Sequence, residues 1–569
     1  MLQIRCKNIN VTKSFPEGTS LLDVYQEFQD EISLPYPVVS AKVNNVSQGL
    51  KFRLFQNRDV EFLDAREGSG HRVYVRSLSF LLYKATQDVF PGSKLFIEHS
   101  LCRGYYCNFK KGVRRQETGD RSQESQVSDE DVAQIKARMQ EIIDLDMPFR
   151  RTEATTEEAI RVFTERGFQD KVKLLETSGQ VYSDYYTLGD TVDYYYGPLV
   201  PSAGYLKVWG LERYEEGLLL RVPDWNNPTK LAEKVDQPKT FEMFAEKTKW
   251  DIIMRLSNAG DVNKAIMRGH ASELIQVSEA LQEKKIVQIA EEIDRRFHDK
   301  ENPIRLVLIT GPSSSGKSTF CKRLSVQLLA CGLRPYSFST DDYFVNRVDT
   351  PKLPNGQYDF DNIAAVDYKL LGEHLSRLMK GERVEVPEYN FVTGLREYNG
   401  KKIQLSSDNV LIIEGIHALN PLLTEQIPDN AKYKIYISAL TSISLDDHNW
   451  IPTQDNRLLR RIIRDYNKGA FTARETISQW KSVCEAEDQW IFPFQETADV
   501  MFNSALNIEF AVLRTHAEFI LTSVPKNCPE YAEAHRLLKF LRYFIPISDK
   551  EIPPTSIMRE FVGGSSFKY

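Results

Sequence analysis

With 569 residues the chain is longer than one hydrophobic core organises, and roughly three to four domains are expected. Hydrophobic residues make up 41% and charged residues 27%, an ordinary globular balance that excludes disordered and fibrous classes. A formal net charge of -6 argues against nucleic-acid binding through global electrostatics, and seven cysteines without a tight framework of spacings point to reduced thiols rather than a disulfide scaffold.

Residues 1–65 alternate at Leu2, Ile4 and Cys6, turn at Pro16-Glu17-Gly18, and continue into a helix after Thr19 and Ser20. Short strands follow, from Pro37 to Val43 and from Asp59 to Leu63, so a β-grasp unit of one sheet and one helix is expected. Residues 68–227 are tyrosine-rich and mix a helix over 77–89 with several strands, an α+β pattern. Within them lies a polar insert, residues 110–131. It opens with Lys110, Lys111, Arg114 and Arg115 and closes with Ser128-Asp129-Glu130-Asp131. Its composition reads as a solvated loop, with an RNA-binding patch as the sharper alternative for the basic half.

Residues 228–298 turn helical, and the stripe of Leu274, Val277, Leu281, Ile286, Ile289 and Ile293 predicts a connector packed on a neighbouring unit. From 299 to 525 apolar strands alternate with amphipathic helices, the pattern of a parallel sheet with crossover helices. Residues 526–569 give a helix over 531–543 and an extended, Pro-rich tail whose aromatics suggest docking on the body. The fold class is therefore multidomain α/β. No run approaches the ~20 apolar residues of a membrane helix and no secretory leader is read, so a cytoplasmic location is expected.

The chemistry is concentrated in the parallel-sheet region. Gly311-Pro312-Ser313-Ser314-Ser315-Gly316-Lys317-Ser318 fits the phosphate-binding loop GxxxxGK[ST], between a buried strand and a helix over 319–330. Gly311, Ser313, Ser314, Ser315, Gly316, Lys317, Ser318 and Thr319 are the expected contacts to ATP phosphates, because bare amides and the helix dipole both favour an anion there. A second strand, Val410 to Ile413, delivers Glu414 to its C-terminal end, where Glu414 and the Ser318 hydroxyl are expected to organise magnesium. A third strand end, Ser339-Thr340-Asp341-Asp342, offers a carboxylate to take a proton from an acceptor hydroxyl; paired aspartates can equally cap a helix. Arg457, Arg460, Arg461 and Arg464 recur at helical spacing and read as a mobile arginine lid over the transferring phosphoryl group, or else as a helix laced with salt bridges.

The ordered set GPSSSGKS, STDDYF, YDFDN, PEYNF, IIEG and NRLLRRIIRD resembles the uridine kinase and phosphoribulokinase group of P-loop kinases. That resemblance implies Asp341 as catalytic base, with Lys317 on the phosphates. It also implies Asp361 as the carboxylate that holds ribose hydroxyls, and Tyr389 and Phe391 as the aromatic pair near the nucleoside. The family's uridine–cytidine kinases place a base-reading histidine three residues after the phenylalanine, where this chain has Gly394. Residues to about 65 are similar to the TGS domain of threonyl-tRNA synthetase and residues 68–227 to its editing domain, through Lys94-Leu95-Phe96-Ile97 and Gly197-Pro198-Leu199-Val200-Pro201-Ser202. The editing motif's histidines fall on Arg76 and Phe80, and its later cysteine and histidine on Tyr195 and Leu199. These residue types cannot rebuild a His/Cys site, so that chemistry is expected to be lost.

The implied activity is magnesium- and ATP-dependent phosphorylation of the 5′-hydroxyl of a nucleoside, uridine or cytidine first, with another small sugar-containing acceptor as the variant. The competing class is an ATP-gated regulatory protein whose front units contact tRNA or ribosome. The sequence carries no oligomeric state.

Overall fold

A computed structural model describes residues 1–111, 127–353 and 356–568. At the N-terminus β1 (Leu2–Cys6), β2 (Val11–Phe15), β3 (Ser40–Val43), β4 (Val46–Gln48) and β5 (Arg58–Leu63) form one sheet in the order β2-β1-β5-β3-β4, with β1 and β5 parallel. Ser20 and Asp23 form a reciprocal cap on α1 (Leu21–Phe28), which buries Leu21, Val24 and Phe28 against Ile4, Val60 and Phe62.

The next unit is built from α2 (Gly68–Val89), β6 (Lys94–Leu101), β7 (Gly104–Lys110), α3 (Asp129–Asp144), β8 (Phe149–Thr155), α4 (Thr156–Glu165), α5 (Gln169–Ser178), β9 (Tyr182–Leu188), β10 (Thr191–Asp193), β11 (Gly210–Tyr214) and β12 (Gly217–Arg221). The strands make two antiparallel sheets, β11-β12-β7-β6 and β10-β9-β8, which share one core with α2 and α3. The structure departs from two sequence expectations in this unit. The helix begins at Gly68 rather than residue 77, because tertiary burial from Gly70 onward carries a start that glycine and serine propensity disfavours. Ser128 to Asp131 are not loop: the Ser128 and Asp131 side chains form a capping box that starts α3, and Asp131 is ion-paired to Lys111. Arg114 and Arg115 lie outside the described residues.

Three helices follow, α6 (Pro238–Met254), α7 (Ala259–Met267) and α8 (Ala271–Phe297). Leu274, Ile286, Ile289 and Ile293 of the predicted stripe are buried, whereas Val277 and Leu281 are half-buried. The first turns of α8 join the core that holds α4, α5 and α7, and its later turns join the core under the parallel sheet, so one helix spans both.

The remaining chain comprises β13 (Leu306–Thr310), α9 (Lys317–Ala330), β14 (Arg334–Ser339), α10 (Tyr368–Met379), β15 (Val384–Glu385), β16 (Glu388–Asn390), β17 (Leu395–Glu397), β18 (Lys402–Ile403), β19 (Asn409–Glu414), β20 (Lys432–Ser438), α11 (Thr453–Asn467), α12 (Ala473–Trp490), β21 (Val500–Asn503), α13 (Glu509–Thr522), α14 (Tyr531–Leu541) and α15 (Arg559–Val562). Its five-stranded sheet runs β14-β19-β13-β20-β21, every pair parallel. Alternate residues of β13 go to opposite faces: Leu306 and Leu308 enter the core with α10, Val307 and Ile309 the core with α8 and α9. That burial on both faces is why these strands read as continuous apolar runs. The tail folds back, sending Phe540, Tyr543 and Phe544 into one core and Ile557 and Phe561 into another. Among the described residues no helix is long and apolar enough to cross a membrane.

Candidate active site

Sheet register decides which side chains meet. Ile309 of β13 and Ser339 of β14 both stand level with Glu414 of β19, so the three chain segments that follow leave the same C-terminal edge together. The order places β13 between β19 and β20; the chain leaves β13 towards β14 on one side and leaves β19 towards β20 on the other, and where such connections diverge parallel sheets bind ligands.

The loop after β13 runs tightly against β20. A Cβ on Gly311 would stand 2.1 Å from the Ile437 carbonyl oxygen, so only glycine passes there. Lys317, first residue of α9, turns its Nζ onto the carbonyls of Gly311 (2.9 Å) and Pro312 (3.1 Å), and burial holds its pKa below the usual lysine value. Ser318 Oγ donates to Glu414 Oε1 at 3.0 Å, while Glu414 Oε2 is buried without a hydrogen-bond partner. Burial lifts the Glu414 carboxyl to about 7 even though Lys317 pulls it down. A hard cation needs oxygen donors, and a hydroxyl beside a carboxylate with a free oxygen is a fitting set.

The two aspartates after β14 divide their roles. Asp342 bonds back to the Ser339 N–H and caps the turn at residues 340–343. Asp341 instead lies within the field of Lys317, and burial raises its pKa despite that neighbour. Asp361 is likewise lifted by burial, to about 6, with Arg461 opposing the rise and Glu487, Asp359 and Asp341 adding to it. Lys317, Asp341 and Asp361 therefore lie within electrostatic reach of one another, Asp341 feeling Lys317 and Asp361 feeling Asp341. Beside Asp361 sits His417, buried and held neutral by desolvation at about 4.

Tyr389 is buried and Phe391 is 58% exposed, their rings 5.0 Å apart edge to face. Phe344 lies 5.4 Å from Tyr389 and 6.1 Å from Phe391, and Phe360 lies 6.4 Å from Tyr389, so the predicted pair is half of a four-ring wall. Both extra rings stand inside the motifs STDDYF and YDFDN, Phe344 three residues after Asp341 and Phe360 directly before Asp361, and that nearness to the candidate aspartates was the available signal.

The four arginines of α11 do not act as one face. Arg457 donates twice to Glu487 (2.5 and 2.7 Å) and once to the Ser313 carbonyl (3.2 Å). Arg460, fully buried, is forked onto Glu509 and reaches the Ser314 carbonyl at 3.3 Å. Arg461 alone points a side-chain N–H at a loop hydroxyl, Ser313 Oγ at 3.1 Å, and Arg464 turns away to Asp465 at 3.3 Å. Glu487 and Glu509 lie outside every motif in the sequence, and no local pattern marks them.

Two loop donors are already taken by carboxylates. The Ser313 N–H donates to Glu487 Oε1 at 2.8 Å, and Thr319 donates both its N–H (3.2 Å) and its hydroxyl (2.6 Å) to Glu560 Oε2. In the synthetase-like unit, Arg76, Phe80, Tyr195 and Leu199 are all buried. The Phe80 and Tyr195 rings lie 5.5 Å apart, and Arg76 donates to the Pro198 carbonyl at 3.0 Å. These four positions form a packed core.

The arrangement offers an anion cradle, a hydroxyl–carboxylate pair suited to a cation, and a deep carboxylate beside a cleft walled with aromatics. The family model "Phosphoribulokinase / Uridine kinase family" matches residues 306–509. A uridine kinase of Mycoplasma pneumoniae is 32% identical over 199 residues, 34% of this chain and 83% of that protein. Over the N-terminal part, a threonine–tRNA ligase of Syntrophomonas wolfei is 29% identical over 208 residues, 36% of this chain and 30% of the ligase. A solved structure titled as a possible uridine kinase from Bacillus stearothermophilus aligns with 39% of this chain and 98% of its own, at 20% identity and a TM-score of 0.27. Through its parallel-sheet region, the chain belongs to the phosphoribulokinase and uridine kinase family of P-loop kinases.

Proposed function

We infer that this chain transfers the terminal phosphoryl group of ATP to the 5′-hydroxyl of a nucleoside, with uridine and cytidine as the first candidates. The observation that carries the reading is the meeting of Lys317, Ser318, Glu414 and Asp341 at one sheet edge.

Transfer to an alcohol needs positioning, charge neutralisation and a proton acceptor, with little covalent chemistry from the protein. The loop amides and Lys317 hold phosphate oxygens, and Arg461, whose side chain reaches Ser313 on the loop, supplies positive charge to the transferring group. Ser318 and Glu414 are the residues that would hold magnesium, which when bound neutralises phosphate charge. Asp341 accepts the proton of the attacking hydroxyl. Its raised pKa brings it closer to the operating pH, which makes it a more effective base than an ordinary aspartate. Asp361 accepts from vicinal ribose hydroxyls, and the wall of Phe344, Phe360, Tyr389 and Phe391 takes the base.

One feature favours recognition by the sugar over recognition by the base edge. Gly394 has φ +73°, and a Cβ there would lie 2.8 Å from Arg347 Cβ and Nε. A histidine at this position would be strained and would collide, so the space of a base-reading side chain is filled by Arg347. Another ribose-containing acceptor is accordingly the second candidate.

Purified protein with ATP and magnesium, offered a panel of nucleosides and phosphate-free sugars, tests the reading by product formation. Conversion of none of them, or an unchanged rate in Asp341→Asn, refutes it.

A further inference from the structure

We propose that the C-terminal segment around α15 is a built-in competitor of the nucleotide: the Glu560 carboxylate stands in for a phosphate oxygen on the loop, and bound nucleotide displaces it. The inference deepens the phosphotransferase reading and rests on it.

The N–H groups at the start of α9 have no partner within the helix and are the donors a phosphate loop offers to its ligand. Thr319 belongs to that set, yet its N–H and its hydroxyl both end on Glu560 Oε2. Glu487 takes a second loop N–H, that of Ser313. Lys317 meanwhile folds back onto the loop carbonyls instead of reaching outward. All three features describe a loop whose positive character is satisfied from inside the molecule.

Glu560 is delivered there by packing. Ile557 presses on the turn of the loop, its Cγ2 2.4 Å from where a Cβ on Gly316 would be, and is fully buried among the side chains of α8 and α9. The Phe561 ring lies 4.8 Å from the Arg460 guanidinium, and its carbonyl accepts from Asn467 Nδ2 at 3.1 Å, so the same segment also touches α11. Arg559 anchors it from behind through Asp549 (2.9 Å) and the Ile552 carbonyl (2.8 Å).

A phosphate oxygen and a carboxylate oxygen cannot both occupy one N–H, and two anions at that spacing repel strongly in a cleft of low dielectric. Nucleotide must therefore push Glu560 off Thr319. The apparent affinity is the intrinsic affinity reduced by the fraction of molecules already open. Because the segment bridges the loop and α11, its release also frees the side of α11 that carries Arg460.

The test uses the full chain and needs no turnover. Calorimetric titration with ADP compares wild type with Glu560→Gln, which keeps the shape and removes the charge, and with Glu560→Ala. Binding tighter by about fivefold or more in the variants is expected. Hydrogen exchange of residues 556–562 in the unmodified chain gives an independent readout, with faster exchange expected when ADP saturates. Measurable binding with equal affinity in wild type and variants overturns the competitor role, as does unchanged or slower exchange under ADP. If neither wild type nor variants bind ADP, the nucleotide reading of the loop falls, and this inference with it.

Discussion

Replacing Glu414 with glutamine separates what the carboxylate costs the fold from what it contributes to the site. Burial lifts its pKa from 4.5 to about 7, against the pull of Lys317 and the Ser318 hydroxyl. The folded chain therefore holds this proton more tightly than the unfolded chain. Stability falls as pH rises from the unfolded value towards 7 and levels off above it. The size follows from the two values: the ionised group costs about 3 kcal/mol at pH 8 and under about 1 kcal/mol at pH 5. Glutamine keeps an oxygen to accept from Ser318 Oγ, 3.0 Å away, without the buried charge. Urea unfolding at the two pH values should show Glu414→Gln more stable than wild type by about 3 kcal/mol at pH 8, with most of that gap gone at pH 5. Phosphoryl transfer at pH 8 should fall by about a hundredfold or more in the same protein. A stability gap independent of pH, or a variant less stable than wild type at pH 8, refutes the reasoning.

Asp341→Asn should lower kcat by about 10²- to 10⁴-fold with ADP affinity unchanged, read by steady-state kinetics and calorimetry. Because burial raises Asp341, the wild-type rate should fall on the acid side at a higher pH than an ordinary aspartate would give, and an acid limb at or below the usual aspartate pKa contradicts its assignment as base. Glu487→Gln removes the partner of a guanidinium that is 1% exposed, so thermal or urea unfolding should show a loss of about 3 kcal/mol, and a neutral result would mean that Arg457 is compensated elsewhere. Gly394→His should cost about 1–3 kcal/mol through its left-handed φ and the clash with Arg347, with turnover falling alike for all acceptors. A selective gain for uridine would show that the position still reads a base.

What can be read from the sequence is what local chemistry dictates. The loop from Gly311 to Ser318 is legible because a buried strand, a glycine turn and a helix start are contiguous, and the N-terminal sheet is legible because Leu2, Ile4 and Cys6 alternate. Local chemistry does not separate Asp341 from Asp342, and in the sequence only the family resemblance singles out Asp341; one turn of backbone assigns the cap to Asp342 and leaves Asp341 in the field of Lys317. The arginines are the harder case. Their spacing reports a helix correctly, but what they do depends on Glu487 and Glu509, 30 and 49 residues away, which no periodicity announces. The start of α3 was available in principle, since Ser128 and Asp131 have capping-box spacing, but a run of acids reads first as solvated chain.

The synthetase-like half and the kinase half are joined by charge as well as by apolar packing. Lys171 of α5, fully buried, lies 3.1 Å from Asp193 of β10 and 3.2 Å from Asp446, which stands in the segment between β20 and α11. His448, two residues on, bonds to Asp193 at 2.8 Å and to the Leu95 carbonyl at 3.1 Å. Burial alone would raise Asp193, yet His448 and Lys171 bring it down to about 2. Lys171 and Asp193 pair within the N-terminal half, but buried Asp446 finds its cation, Lys171, only across the junction, and a buried ion left alone is strongly destabilising. The segment so held leads directly into α11, whose Arg461 reaches the phosphate loop and whose Arg460 meets the tail. The position of the arginine helix is thus fixed from outside the kinase sheet, and a change in how the N-terminal half sits would be felt first where Arg461 meets Ser313 and Arg460 meets the tail.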